Sequence, residues 1–416
     1  MIAFDRFTLA NGLTLIVHRD EATPLACINI LYDVGARDEE ESRTGFAHLF
    51  EHLMFGGSVN IPSYDEVSPR IGAENNAFTS NDITNYYITL PAQNLEAAYW
   101  LESDRMYGLA FSEKSLEVQR NVVIEEFKQR YLNQPYGDAW LLLRPLAYKV
   151  HPYKWATIGK EIRHIEEAVM DDVKAFFKKH YNPKNAILVV SGNVDTEEVR
   201  LLSEKWFGSI PGGAKPGRNL PEEPRQEEYR RLEVERDVPA DSLFMAFHMC
   251  SRRDPEYYTM DIISDLLSRG NSSRLYNRLV KDKQIFTELN AYVMGELDKG
   301  LFIVAGKVTP QFTLQQGEEA VFEELEKLQN EPVPDAELNK VKNKIEATHT
   351  FSEMNVLDKA MNLAFSELLG DANRINTEVE RYMNVSADMI QGQAREVFRK
   401  TNCSSLHYRS IKKQTS

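Results

Sequence analysis

The chain has 416 residues, 42% hydrophobic and 27% charged, with a net charge of −14. This is ordinary globular composition, long enough for two or three domains with proper cores. The acidic balance lacks the basic footprint of a general nucleic-acid binder; it permits a cationic ligand, although solubility alone accounts for it.

In chain order, Phe4–Leu9, Asn11-Gly12 and Leu13–His18 read as strand, turn and strand, a hairpin signal. Cys27–Val34 reads as a further strand, and helical patterns run from Asn94 to Gly108 and from Ser112 to about Leu132. A helix at Met170–His180 leads through Asn182-Pro183 into an apolar strand, Ala186–Val190. The segment 209–228, SIPGGAKPGRNLPEEPRQEE, is rich in Pro, Gly and charge and poor in apolar residues, which is linker chemistry. It predicts an N-terminal domain over 1–208 and a C-terminal domain over 229–416. The two look like a duplication: Asp171, Val173, Tyr181 and Asn185 recur 217 residues later as Asp388, Ile390, Phe398 and Asn402. Strand Ser242–Met249 likewise echoes Cys27–Val34. A repeat of that length means two domains of one fold, not a solenoid. Strands in hairpins and helices in groups favour α+β, with mainly antiparallel sheets packed by helices.

The stretch that carries chemistry is Thr44–Ser58, TGFAHLFEHLMFGGS. Thr44 can cap a helix and Gly56-Gly57 can end it. Between them the residues are apolar nearly all round, so the helix is expected to be buried. Only His48, Glu51 and His52 break the pattern, and at about 100° per residue they fall within an arc of about 100°, with the histidines as i, i+4 neighbours. Burying two imidazoles and a carboxylate costs several kcal/mol unless something compensates. A zinc ion compensates: neutral imidazole is a favoured ligand, and a catalytic site needs three protein ligands and an open position. Glu51, beside the pair, is placed to act as general base. The alternative is a hydrogen-bonded pair of core histidines. A third ligand is expected from the helix at Ser112–Leu132. Its apolar stripe runs through Val122, Val123, Phe127 and Tyr131 and carries Glu126, a carboxylate that asks for a cation. The alternative for Glu126 is a helix-edge carboxylate near Arg130, and Glu125 points further round, toward solvent.

HLFEH followed downstream by RNVVIEEF resembles the pitrilysin-type (inverzincin, M16) zinc metallopeptidases. The likeness extends through VGARDEEESRTGFAHLFEHLMF, GAENNAFTSNDITNYYITLP and the duplicated second half. The chain resembles the smaller two-domain members, such as mitochondrial processing peptidase and bacterial homologues. The resemblance implies one Zn2+ per chain on His48, His52 and Glu126, with Glu51 as base. It implies a closed chamber for unfolded peptides, which in the smaller members takes two chains. Substrate would be added as a strand at Asn76, Ala77 and Phe78, although sequence alone reads these as an ordinary turn and strand. Two positions depart from the family pattern. Gln119 stands where a second glutamate is usual, two turns before Glu126, which implies altered support around the ligands. Val280 and Thr287 stand where active members carry an Arg and a Tyr that hold substrate and oxyanion; Arg278 and Tyr292 are nearby but out of register. The expected partner is therefore a homologous non-zinc subunit supplying Arg and Tyr. The alternatives are a self-sufficient homodimer and a non-catalytic core or assembly subunit.

Cys27, Cys250 and Cys403 are far apart and form no CxxC pair, against a thiolate zinc site or disulfide framework. No apolar run reaches about 18 residues, so no membrane span is expected. The opening MIAFDRFTLANG has no basic segment followed by an apolar one. The expected compartment is the cytoplasm, with the periplasm the alternative where an export signal has been removed.

Overall fold

Nearly continuous apolar runs build the central strands of two sheets, described from a computed structural model over residues 1–411. The first contains β1 (Asp5–Thr8), β2 (Thr14–Arg19), β3 (Leu25–Tyr32), β4 (Glu74–Thr79), β5 (Thr84–Pro91) and β6 (Ala186–Gly192) in the order β1-β2-β6-β3-β5-β4. The second contains β7 (Arg230–Arg236), β8 (Ser242–His248), β9 (Phe286–Met294), β10 (Leu301–Val308) and β11 (Cys403–Ser410) in the order β7-β11-β8-β10-β9. Pairing is antiparallel except β2 with β6 and β7 with β11. The expected α+β class, with mainly antiparallel sheets packed by helices, is what forms. The opening hairpin pairs Asp5 with Val17 through Thr8 with Thr14, and Gly12 supplies the left-handed turn residue at φ 92°.

Removing β1 from the first sheet leaves the strand order of the second, each strand matched in chain order. The 217-residue offset holds in detail: helix Met170–His180 corresponds to helix Ala387–Val397, and β6 to β11. A buried asparagine does the same work in both. Asn185 Nδ2 donates to the carbonyls of His180 (2.9 Å) and Asp33 (3.1 Å); Asn402 Nδ2 donates to those of Val397 (2.8 Å) and His248 (2.9 Å). Each ties the end of a helix to the end of the neighbouring strand where backbone acceptors would otherwise be buried unpaired.

A cut at 209–228 separates the two sheets, but the compact units are not continuous in sequence. The first unit comprises Met1–Phe127, Trp155–Leu220 and His349–Glu378; the second takes Lys128–Lys154, Pro221–Thr348 and the chain from Val379. The division at 208 and 229 is corrected accordingly. The central strands are buried on both faces, so both faces of each sheet must be covered, and each sheet covers one with a helix from the other sequence half. Helix Val356–Leu368 lays Val356, Ala360, Leu363 and Ala364 on Ile16, Cys27, Leu31 and Val189. Helix Ala139–Ala147 lays Ala139, Leu143 and Ala147 on Ala246, Ile303 and Leu406.

The segment 209–228 has no regular secondary structure, yet it is anchored. The Arg218 guanidinium donates to Asp33 (2.8 Å) and Asp38 (2.6 Å). Glu223 accepts the amides of Lys149, Val150 and His151 at 2.7–2.9 Å. Burial opposes ionisation of Glu223, but the three amide donors prevail and hold its carboxyl below the usual value. Among the described residues, no helix is long and apolar enough to cross a membrane.

Candidate metal centre

The HLFEH helix spans Phe46–Leu53 and buries Phe46, Ala47, His48, Leu49, Phe50 and Leu53. Its ends differ from expectation. The cap residue is Gly45 at φ 88°, not Thr44; a Cβ there would lie 2.6 Å from the Ile158 carbonyl oxygen. The Thr44 hydroxyl is instead engaged by His164 Nδ1 at 2.8 Å and the Lys160 amide at 2.7 Å. The orphan amides of the first turn are taken by Glu39, whose carboxylate accepts from Gly45 and Ala47, each at 2.8 Å. Burial pushes the Glu39 carboxyl up to about 8, against the pull of these two donors. The helix stops at Leu53, and the turn that follows brings Gly57 to φ 105°.

Helix Glu113–Phe127 packs across this helix and brings Glu126 to the histidines. Glu126 Oε2 lies 3.6 Å from His48 Nε2 and 3.3 Å from His52 Nε2. The imidazole centroids are 4.9 Å apart with planes at 81°. Among the described residues these three form the single cluster of potential ligands, with donor atoms all within 4.8 Å of one another. Two ligand atoms each about 2.1 Å from zinc at a tetrahedral angle are about 3.4 Å apart. The two Glu126 distances bracket that value, and 3.6 Å is too long for a hydrogen bond. The neutral-nitrogen and carboxylate donor set is that of a catalytic zinc site with one position left open. The residues fit the metal.

Glu51 is half-buried on the same helix, and its Oε2 accepts a hydrogen bond from Thr79 Oγ1 at 2.6 Å. Below it, Tyr86 and Tyr181, both buried, join the aromatic packing around Phe50. Thr79 ends β4, an edge strand of the sheet. Residues 74–79 alternate between exposed and half-buried, so Asn75, Ala77 and Thr79 share the inner face while Asn76 and Phe78 face out. Phe78 is 40% exposed. The Ala77 amide is held by the Asn76 side chain, Nα to Oδ1 2.9 Å. This side-chain contact protects an edge donor against promiscuous pairing.

Several expected placements need correction. Helix Glu113–Phe127 ends before Leu132 and continues as a π-turn over Lys128–Leu132. Its buried face is Leu116, Val123, Ile124 and Phe127, while Val122 is 44% exposed and Tyr131 only half-buried. Glu125 is exposed, as expected. Gln119 is half-buried beside the turn after the HLFEH helix, where a Cβ on Gly56 would meet its Nε2 at 3.8 Å. In the second unit, Val280 packs against the core. Thr287 is exposed on β9, its hydroxyl 3.4 Å from the Lys307 carbonyl oxygen. Arg278 is exposed on the preceding helical turn. Tyr292 lies on edge strand β9 with its hydroxyl pushed up to about 12, burial outweighing the nearby Arg144 charge. Sequence reasoning missed Glu39 and Thr79. Strand alternation from Ala77 would have turned Thr79 inward; nothing local marked Glu39, which reaches the helix through a loop.

Residues 14–138 match the insulinase family (peptidase family M16), and residues 168–345 match the domain described as the peptidase M16 inactive domain. The zinc protease PqqE of Helicobacter pylori is 29% identical over 405 residues, covering 96% of this chain and 91% of that protein. The mitochondrial-processing peptidase subunit beta of Saccharomyces cerevisiae is 29% identical over 212 residues, 50% of this chain and 45% of that protein. The crystal structure of a protease from Helicobacter pylori superposes with a TM-score of 0.92 at 27% identity, covering 98% of this chain and all (100%) of that one. Both halves of the duplication thus fall within one family, and the chain belongs to peptidase family M16, the pitrilysin type.

Proposed function

We propose that this chain is the zinc-binding subunit of a metallopeptidase that hydrolyses unfolded polypeptides. The observation that carries the reading is the convergence of His48, His52 and Glu126 at zinc-ligand spacing beside Glu51. His48 and His52 would hold the metal through Nε2 and Glu126 through its carboxylate. Zinc, when bound, acts as a Lewis acid toward the scissile carbonyl and makes water a stronger acid. Glu51 takes the proton of the attacking water and returns it to the leaving amine. The open edge of β4 at Asn76, Ala77 and Phe78 suits addition of an extended substrate, whose backbone would displace the Asn76 side chain from the Ala77 amide.

A homologous chain would complete the chamber. Further oxyanion donors usually contribute about 10²–10³-fold each, and Val280 offers no polar group while Thr287 is short. A partner carrying Arg and Tyr at these positions would supply both.

The test uses elemental analysis and cleavage of unstructured peptides by the chain alone and with such a partner. Wild type should carry stoichiometric zinc and His52→Ala none, since two protein ligands rarely hold the metal. Glu51→Gln should keep zinc and lose roughly 10²–10⁴-fold in turnover. Full zinc in His52→Ala would overturn the ligand assignment. Full activity without a partner would replace the heterodimer by a self-sufficient homodimer, and zinc occupancy without cleavage in any combination would leave an assembly subunit.

A further inference from the structure

We propose that Thr79 is a positioning residue for Glu51: its hydroxyl fixes the orientation of the base and couples it to the strand that receives substrate. The inference rests on the peptidase reading and deepens it. Thr79 Oγ1 donates to Glu51 Oε2 at 2.6 Å, at the short end of the range for a hydroxyl donor. A glutamate has three rotatable side-chain bonds, and a half-buried one beside a metal site must be held if it is to face the reacting water. Thr79 is suited to hold it. Its β-branched side chain has few rotamers, and it lies on the inner face of β4, which packs on the HLFEH helix.

The backbone around Thr79 is itself fixed. Thr79 pairs with Thr84 across the β4–β5 turn, and the Thr84 hydroxyl donates to the Val34 carbonyl at 2.9 Å. The next residue, Ser80, pins the turn: its Oγ accepts the amides of Asp82 and Ile83 at 3.1 and 3.0 Å. The Ser80 carbonyl accepts the Ala36 amide at 3.1 Å. The base is therefore referenced to a rigid turn on one side and, through β4, to the open edge only two residues away at Ala77 on the other. A substrate strand that straightens or shifts β4 acts on Glu51 through this bond. Thr79 touches neither metal ligand in the described contacts and makes no proton transfer; it acts through Glu51.

The experiment compares Thr79→Val, which keeps the branched shape without the donor, with Thr79→Ser, which keeps the donor, each alone and combined with Glu51→Gln, in the zinc-loaded full chain. Two readouts are used. One is calorimetric affinity for acetohydroxamate, a zinc-binding group whose acidic proton a neighbouring carboxylate accepts; it needs no turnover and no partner chain. The other is peptide cleavage, resolved into kcat and KM. Thr79→Val should retain full zinc, bind acetohydroxamate about 10-fold more weakly and lose about 10–100-fold in kcat, the range for residues that orient a metal site. KM should stay within about twofold. Thr79→Ser should restore both, and Thr79→Val should add nothing in the Glu51→Gln background. Wild-type hydroxamate affinity and kcat in Thr79→Val would overturn the inference. So would an equal loss in the Glu51→Gln background, which would mean that Thr79 acts other than through Glu51. Failure of the peptidase reading looks different: wild type would take up no zinc, or Glu51→Gln itself would match wild type, and the inference would fall with it.

Discussion

Replacing Glu39 by Ala should destabilise the metal centre from a distance. The Glu39 carboxylate accepts the Gly45 and Ala47 amides at 2.8 Å in a buried position, 7% exposed. Gly45 is the cap of the HLFEH helix and Ala47 its second residue, so alanine leaves two first-turn donors buried without their acceptor. Each unsatisfied amide costs about 1–3 kcal/mol, giving about 2–6 kcal/mol in all if the loop does not relax to admit water. Protonation of Glu39 does not remove the effect, because each carboxyl oxygen keeps a lone pair for its amide. His48 follows Ala47 directly, so fraying of that turn displaces a ligand, and zinc affinity should fall by about 10–100-fold, as for other residues that orient ligands. Urea denaturation of the zinc-free protein measures the first quantity and competition with a chelator the second. The exposed Glu117→Ala on helix Glu113–Phe127 is the control. Unchanged stability and unchanged zinc affinity in Glu39→Ala would refute the capping role. Loss of stability with unchanged affinity would show that the first turn does not position His48.

Three further outcomes follow from other contacts. His180 is 1% exposed, neither ring nitrogen has a hydrogen-bond partner among the described residues, and burial lowers its pKa to about 4; the unfolded chain, near 6.5, then binds the extra proton, so stability is lost as pH falls below about 6.5. At pH 5 this group should account for about 2 kcal/mol, and chemical denaturation at pH 7 and 5 should show His180→Phe losing that much less than wild type. Asn185→Ala and Asn402→Ala each strip two carbonyls of a buried donor, so each should cost about 2–4 kcal/mol, and values within about 1 kcal/mol of each other by denaturant titration would match their equivalent bracing. Leu363→Ala, fully buried on the first sheet, should cost about 2–5 kcal/mol, and hydrogen exchange should accelerate in β3 and β6 rather than in β8 and β11, although residue 363 belongs to the C-terminal half of the chain.

The sequence by itself determined the parts whose physics is local. A helix of 3.6 residues per turn puts His48 and His52 on one face whatever surrounds it, and an otherwise apolar segment must be buried, so HLFEH marked its two histidines as candidate ligands. The same periodicity made Met170–His180 and its repeat legible, and the offset between Asn185 and Asn402 revealed the duplication before either hydrogen bond was seen. Where the outcome depended on a neighbour, local pattern was insufficient. Val122 and Ile124 are equally apolar, and the packing of helix Glu113–Phe127 in the first unit left Val122 exposed and buried Ile124. Thr44 is a good cap by composition, but His164 and Lys160 engage its hydroxyl while Glu39, brought in by a loop, takes the amides. The segment 209–228 has the composition of a free linker, yet Arg218 and Glu223 find hydrogen-bond partners far away in sequence. Most of all, the exchange of covering helices between the halves left no periodic trace. An amphipathic helix records that it has an apolar face, but which sheet receives that face is set by chain path and long-range closure, and these exist only once the tertiary structure forms.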